Sequence, residues 1–215
     1  MSRGYRTLLG ITIVLMLIVG PIGYAFYTQS QMRAFRVVRE NVLYRSGQLP
    51  LSALKRVIHD RGIRTVITLR DSYVEGKPPP DLAEEEYCKG QGLNHVRIPP
   101  RNWEGPDGIA PVDEGVRTFL NVLADPNNHP VLVHCFAGIH RTGAYCAIYR
   151  MEFEGWSNAQ AMAEMEACGY DNLHNEWDIL GYLETYRPGK LAGPAPEPKT
   201  VEKKKTGKKK TAMRD

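Results

Sequence analysis

Cysteine is scarce in this 215-residue chain, and its four residues, Cys88, Cys135, Cys146 and Cys168, share no paired spacing. That excludes a disulfide framework. The six histidines, His59, His95, His129, His134, His140 and His174, include no pair at the helical i, i+4 spacing of a zinc site, so the pattern calls for no metal. No internal repeat is evident, which removes solenoids and arrays. Charge is missing from one long stretch: none occurs between Arg6 and Arg33.

What remains is ample for one core. With 42% hydrophobic and 24% charged residues and a formal net charge of +4, the chain suits one globular domain of about 150 residues with an appendage at each end. Residues 1–30 contain the twenty mostly apolar residues Leu8 to Tyr27, enough to cross a bilayer core of roughly 30 Å as a helix. The length predicts a single-pass N-terminal transmembrane anchor rather than a cleaved signal peptide, whose apolar core runs to about 15 residues. Arg3 and Arg6 before the run nearly cancel Arg33, Arg36 and Arg39 after it in setting orientation; the need for a reduced cysteine tips the domain toward the cytoplasm. Residues 188–215 turn to Pro, Gly, Lys and Thr, a composition that predicts disorder. Residues 199–215 hold eight Lys/Arg against two Asp/Glu, a net +6, leaving −2 on the other 198 residues. The tail thus either contacts anionic lipid or nucleic acid or only keeps the chain in solution.

Residues 41–187 alternate strand and helix patterns. Strands are predicted at Asn41 to Ser46, Arg64 to Leu69, Asn94 to Ile98 and Val131 to Val133, with helices at Leu51 to Asp60, Asp81 to about Lys89, Val112 to Leu123, Gly143 to Met151 and Asn175 to Tyr186. Asp81 and Glu84 have capping-box spacing, and Ser157 to Gln160 opens a further helix. Strands separated by helices imply an α/β fold with a mostly parallel central sheet flanked by helices. Trp103, Trp156 and Trp177 are expected to pack in the core or under a loop.

The informative stretch is His134-Cys135-Phe136-Ala137-Gly138-Ile139-His140-Arg141-Thr142-Gly143. Between a buried strand and an apolar helix the backbone must turn sharply, so the N–H groups of Phe136 to Arg141 can converge at the positive end of that helix and bind an anion. Cys135 lies beneath that point, where helix dipole, loop amides and Arg141 favour thiolate over thiol. Arg141 offers a planar fork to two phosphoryl oxygens. The Thr142 hydroxyl lies within reach of the sulfur as a leaving group. His134 is read as a residue that orients the loop, and His140 as a loop-facing donor.

This decapeptide resembles the His-Cys-x-x-Gly-x-x-Arg-Thr-Gly signature of the dual-specificity branch of the cysteine-dependent protein tyrosine phosphatases. Tyr44-Arg45-Ser46-Gly47-Gln48-Leu49-Pro50 and Gly62-Ile63-Arg64-Thr65-Val66-Ile67-Thr68-Leu69-Arg70 resemble the opening of its atypical, plant and fungal group. The resemblance spans about Asn41 to Tyr186 and implies hydrolysis of phosphomonoesters, phosphotyrosine or phosphoprotein, through a phosphocysteine, without cofactor or metal. It implies a general acid about thirty residues upstream. Asp107, 28 residues before Cys135 and four before Pro111, is preferred; Glu104, 31 before, is the alternative. Arg45 and Arg70 either line the pocket rim or form surface ion pairs. Phosphoinositide and inositol-pyrophosphate enzymes resemble one another in carrying Lys within the loop, where this chain has Phe136 and Ile139, which favours a phosphoprotein substrate. Two other readings stay open: a phosphate-binding module with little turnover, and an inositol phosphate or RNA 5′-phosphatase.

Overall fold

The computed structural model describes residue 4, residues 12–13, 15–23, 30–72, 74–105 and 109–191. Its centre is a five-stranded sheet in the order β1-β2-β5-β3-β4, built from β1 (Arg36–Arg39), β2 (Leu43–Ser46), β3 (Thr65–Thr68), β4 (Asn94–Arg97) and β5 (Val131–His134). The β2–β5, β5–β3 and β3–β4 pairings are parallel and β1–β2 is antiparallel. The expected parallel sheet is therefore present, with one added strand. β1 carries no clear alternation, with Arg36 and Val37 exposed, Val38 buried and Arg39 half-buried, so periodicity could not have found it.

Alternate residues of the strands face opposite cores. Tyr44, Val66 and Leu132 point to one side, packing with Ala53, Leu54 and Val57 of helix α1 (Leu51–Arg61) and with Cys88 of α2 (Leu82–Gly90). Leu43, Ile67, Val131 and Val133 point to the other, against α3 (Asp113–Ala124), α4 (His140–Glu154), α5 (Asn158–Ala167) and α6 (Trp177–Thr185). This period-2 split is what a two-sided sheet requires. α1 ends because Gly62 adopts the left-handed conformation at φ 61° and returns its N–H to Ile58 O, a cap that glycine takes without steric cost. α5 opens on the expected capping box of Ser157 and Gln160.

At α2 the expected capping box is absent: Asp81 makes no side-chain cap. Its carboxylate instead takes a hydrogen bond from Thr68 Oγ1 at 2.5 Å and an ion pair from Arg97 at 2.7 Å, while Glu84 turns into the core. Tertiary partners outcompeted the local cap. Trp103 is buried as expected, but Trp177 is 79% exposed.

The membrane anchor requires correction. Among the described residues no helix is long and apolar enough to cross a membrane, and the longest described helical run within Leu8 to Tyr27 is residues 15–23. The single-pass localisation and the membrane contact through this segment fall with it. Residues 8–11, 14 and 24–27 lie outside the described residues, as does the Lys-rich tail beyond Leu191.

Candidate active site

β5 lies at the middle of the sheet, and the chain leaves its carboxyl end through Cys135 to enter α4 at His140. Parallel neighbours on both sides place the connecting loop in the crevice where such sheets bind ligands. Cys135 is 3% exposed at the floor of this loop, its Sγ accepting the Gly138 N–H at 3.2 Å. The N–H groups of Phe136, Ala137, Ile139 and His140 have no hydrogen-bond acceptor among the described residues. Unspent donors ahead of a fifteen-residue helix form an anion cup.

The cup keeps its shape by close backbone approach. Gly138 has φ 77°, and a Cβ there would sit 2.4 Å from Gly47 N and 2.5 Å from the Ser46 carbonyl carbon. Gln48 donates its N–H to Phe136 O at 3.0 Å. The unexpected member is Arg45. It is 2% exposed, and its Nη2 donates to Gly138 O at 2.8 Å and more weakly to Ile139 O at 3.5 Å, while Nε is buried without a partner among the described residues. Holding those carbonyls back leaves the neighbouring N–H groups directed at the cup. Neither the rim nor the surface ion pair read from the sequence describes it; no carboxylate among the described residues pairs with it, and no local pattern marks a residue 93 positions from the carbonyl it binds.

Arg141 is half-buried and donates from Nη1 to Leu69 O at the end of β3, at 2.5 Å. Thr142 is fully buried, and its hydroxyl has no hydrogen-bond partner among the described residues. His140 is exposed, its ring 4.5 Å from that of Tyr170. Among the alternative acids, Glu104 is exposed, and Asp107 lies outside the described residues. A cavity of about 330 Å³ beside Glu104 is lined by Trp103, Asp113, Trp177 and Tyr182 but by no residue of the cysteine loop.

His134 is positioned from behind. Its Nε2 lies 2.7 Å from Glu84 Oε1, which also meets His95 Nε2 at 3.3 Å, and Glu84 Oε2 accepts from Gln48 at 3.0 Å. Asp81, Glu84 and His134 stand close enough to share a cation, yet both carboxylates are already engaged by protein donors. Burial pushes the Glu84 carboxyl up, but the charge and hydrogen bond of His134, aided by His95, prevail and bring it from 4.5 to about 2. A depressed carboxylate contributes stability above its unfolded value and loses it as pH falls through the folded one. Glu84→Gln should therefore lower the melting temperature at pH 7, and its stability should vary less with pH between 4.5 and 2 than that of the wild type, as thermal unfolding across that range will read.

The other buried thiols are poor nucleophiles. Burial pushes Cys88 up to about 12, helped by Glu84, and Cys146 up to about 11, so both stay protonated at neutral pH.

A thiol under a cup of amides, at the end of a central parallel strand and followed by an arginine, defines the architecture of the cysteine-dependent phosphatases. The comparisons agree. Residues 23–177 match the family described as DSP-PTPase phosphatase fused to NAD+ kinase, and the chain belongs to that family, within the atypical dual-specificity branch. It is 30% identical over 133 residues to the inositol diphosphatase DSP5 of Arabidopsis thaliana, covering 60% of this chain and 59% of the relative. It is 37% identical over 72 residues, 33% of each chain, to the dual specificity protein phosphatase TpbA of Pseudomonas aeruginosa. The fold is similar to the core catalytic domain of the PP-IP phosphatase SIW14 from S. cerevisiae, with TM-score 0.57 at 18% identity over 74% of this chain and 88% of that one. The chain spans between about half and three fifths of the length of the first curated relatives it matches.

Proposed function

We propose that the protein is a phosphoric monoester hydrolase acting through a phosphocysteine on a phosphotyrosine or dual-specificity phosphoprotein substrate. The observation that carries this reading is Cys135 lying under amide donors that find no acceptor among the described residues. The phosphate occupies the cup, its oxygens held by the amides of Phe136 to Arg141 and by the Arg141 guanidinium. Cys135 Sγ attacks phosphorus as the P–O bond to the leaving group breaks, and a carboxylic acid gives that oxygen its proton. Water then attacks the phosphocysteine, its proton passes to the same carboxylate, and the sulfur departs as thiolate with the Thr142 hydroxyl to stabilise it. Inorganic phosphate is released. His134, tied to Glu84, orients the loop and does not touch substrate. The catalytic unit is the 41–187 span together with β1.

Asp107 is assigned as the acid. Asp107→Asn should lower kcat on phosphotyrosine about 100-fold, whereas Glu104→Gln should leave it within about threefold; the reverse order would move the role to Glu104. Phosphate release from p-nitrophenyl phosphate by the full chain tests the reading as a whole. A single burst without steady turnover would make the protein a phosphate binder.

The names of relatives such as the inositol diphosphatase of Arabidopsis thaliana favour a second reading, a phosphorylated inositol as substrate. Against it, Phe136, Ala137 and Ile139 leave the loop before His140 without a cationic side chain, whereas a ligand charged on every side gains from cations.

A further inference from the structure

Phe136 follows the nucleophile and is 53% exposed at the mouth of the cup. Two guanidinium groups sit over its ring, Arg33 Cζ at 4.2 Å and Arg70 Cζ at 5.3 Å from the centroid. They come from separate parts of the chain. Arg70 follows β3, and one of its N–H groups is given to Gln48 Oε1 at 3.0 Å. Arg33 precedes β1, and its backbone is pinned to the same rim, its carbonyl accepting the Gly47 N–H at 2.8 Å.

Among the described residues neither guanidinium pairs with a carboxylate. Two like charges held on one ring repel each other, and nothing described beside them neutralises either. Attraction to the ring face offsets part of that cost. The remaining N–H donors still carry charge that suits an anion.

We propose that Arg33, Phe136 and Arg70 form a specificity subsite for a second acidic group on the substrate, a carboxylate beside the phosphotyrosine of a peptide. The proposal rests on the phosphatase reading of the cup. The half-exposed ring offers hydrocarbon beside the two charges, and a phosphotyrosine peptide matches both, its tyrosyl ring meeting the hydrocarbon and its flanking carboxylate meeting a guanidinium. A phosphorylated inositol has charge on every side and no face for the ring.

The test uses the full chain and two phosphotyrosine peptides that differ only in a Glu or Gln next to the phosphotyrosine. The wild type should favour the Glu peptide in kcat/KM by about two- to fivefold, and the preference should shrink as salt is raised. In Arg33→Gln/Arg70→Gln the ratio should fall to about one, and in Arg33→Gln alone, which removes only a side chain stacked on an exposed ring, to an intermediate value. A wild-type ratio near one, or a ratio kept in the double variant, overturns the subsite. So does competition by inositol hexakisphosphate that exceeds that of the Glu peptide and disappears in the double variant, which would make the rim a reader of inositol phosphates. Absence of wild-type turnover on p-nitrophenyl phosphate would defeat the phosphatase reading instead.

Discussion

Cys135→Ser should abolish turnover, by about four orders of magnitude or more, while leaving phosphate and vanadate binding in place. The two halves of this result have separate causes. Turnover needs a nucleophile that is ionised near neutral pH and leaves readily from phosphorus, and a serine hydroxyl is neither. Binding needs only the cup: the Phe136, Ala137, Ile139 and His140 amides, whose donors find no acceptor among the described residues, and the Arg141 fork. A serine oxygen also accepts the Gly138 N–H that now meets sulfur at 3.2 Å, so the loop keeps its shape. Arg141→Lys should do the converse, weakening vanadate binding and lowering kcat/KM by about 10²- to 10³-fold, because a point charge cannot bridge two equatorial oxygens. Calorimetric titration with vanadate beside steady-state kinetics on p-nitrophenyl phosphate separates the two. Turnover in Cys135→Ser within tenfold of wild type would remove the phosphocysteine from the mechanism.

The cup was legible before any coordinate because the groups that line it are local: a strand, a turn with glycine, a cysteine, an arginine and an apolar helix, all within about twenty residues. The same holds for α1, found within one residue of its expected span because Gly62 stops it. What stayed hidden depends on partners distant in sequence. Glu84 and His134 lie 50 positions apart, and the acidic spacing that resembles a helix cap is in fact a buried acceptor for two histidines and a glutamine. Arg45 follows the same logic, since a basic residue at a strand end resembles an exposed one until β2 is seen pressed between β1 and β5. The apolar run at Leu8 to Tyr27 shows the opposite failure. Its length and hydropathy predicted a span by themselves, yet the described helical residues there do not make one.

Arg45 supports the last and most discriminating expectation. A buried guanidinium with no carboxylate beside it is costly, since its charge is desolvated and its Nε hydrogen bond unmade. A fold that keeps it gains something at the site. The charge lies beneath the loop that, on the proposed mechanism, receives a phosphate dianion. On the proposed mechanism Arg45 acts as a positioning residue: its contacts to Gly138 O and Ile139 O keep those carbonyls from the cup, and its charge would face a bound phosphate. Arg45→Met, close in length and uncharged, should lower kcat/KM by about 10²- to 10³-fold while the melting temperature holds or rises, because the desolvated charge is gone. Arg45→Lys should recover part of the vanadate affinity, keeping the charge, but not the rate, since the shorter lysine side chain cannot place its donor where Arg45 Nη2 meets Gly138 O at 2.8 Å. A purely structural residue would show the opposite pairing, with a lower melting temperature and a proportionate loss of rate in both variants. Thermal unfolding, vanadate titration and steady-state kinetics on the three proteins decide between the two patterns.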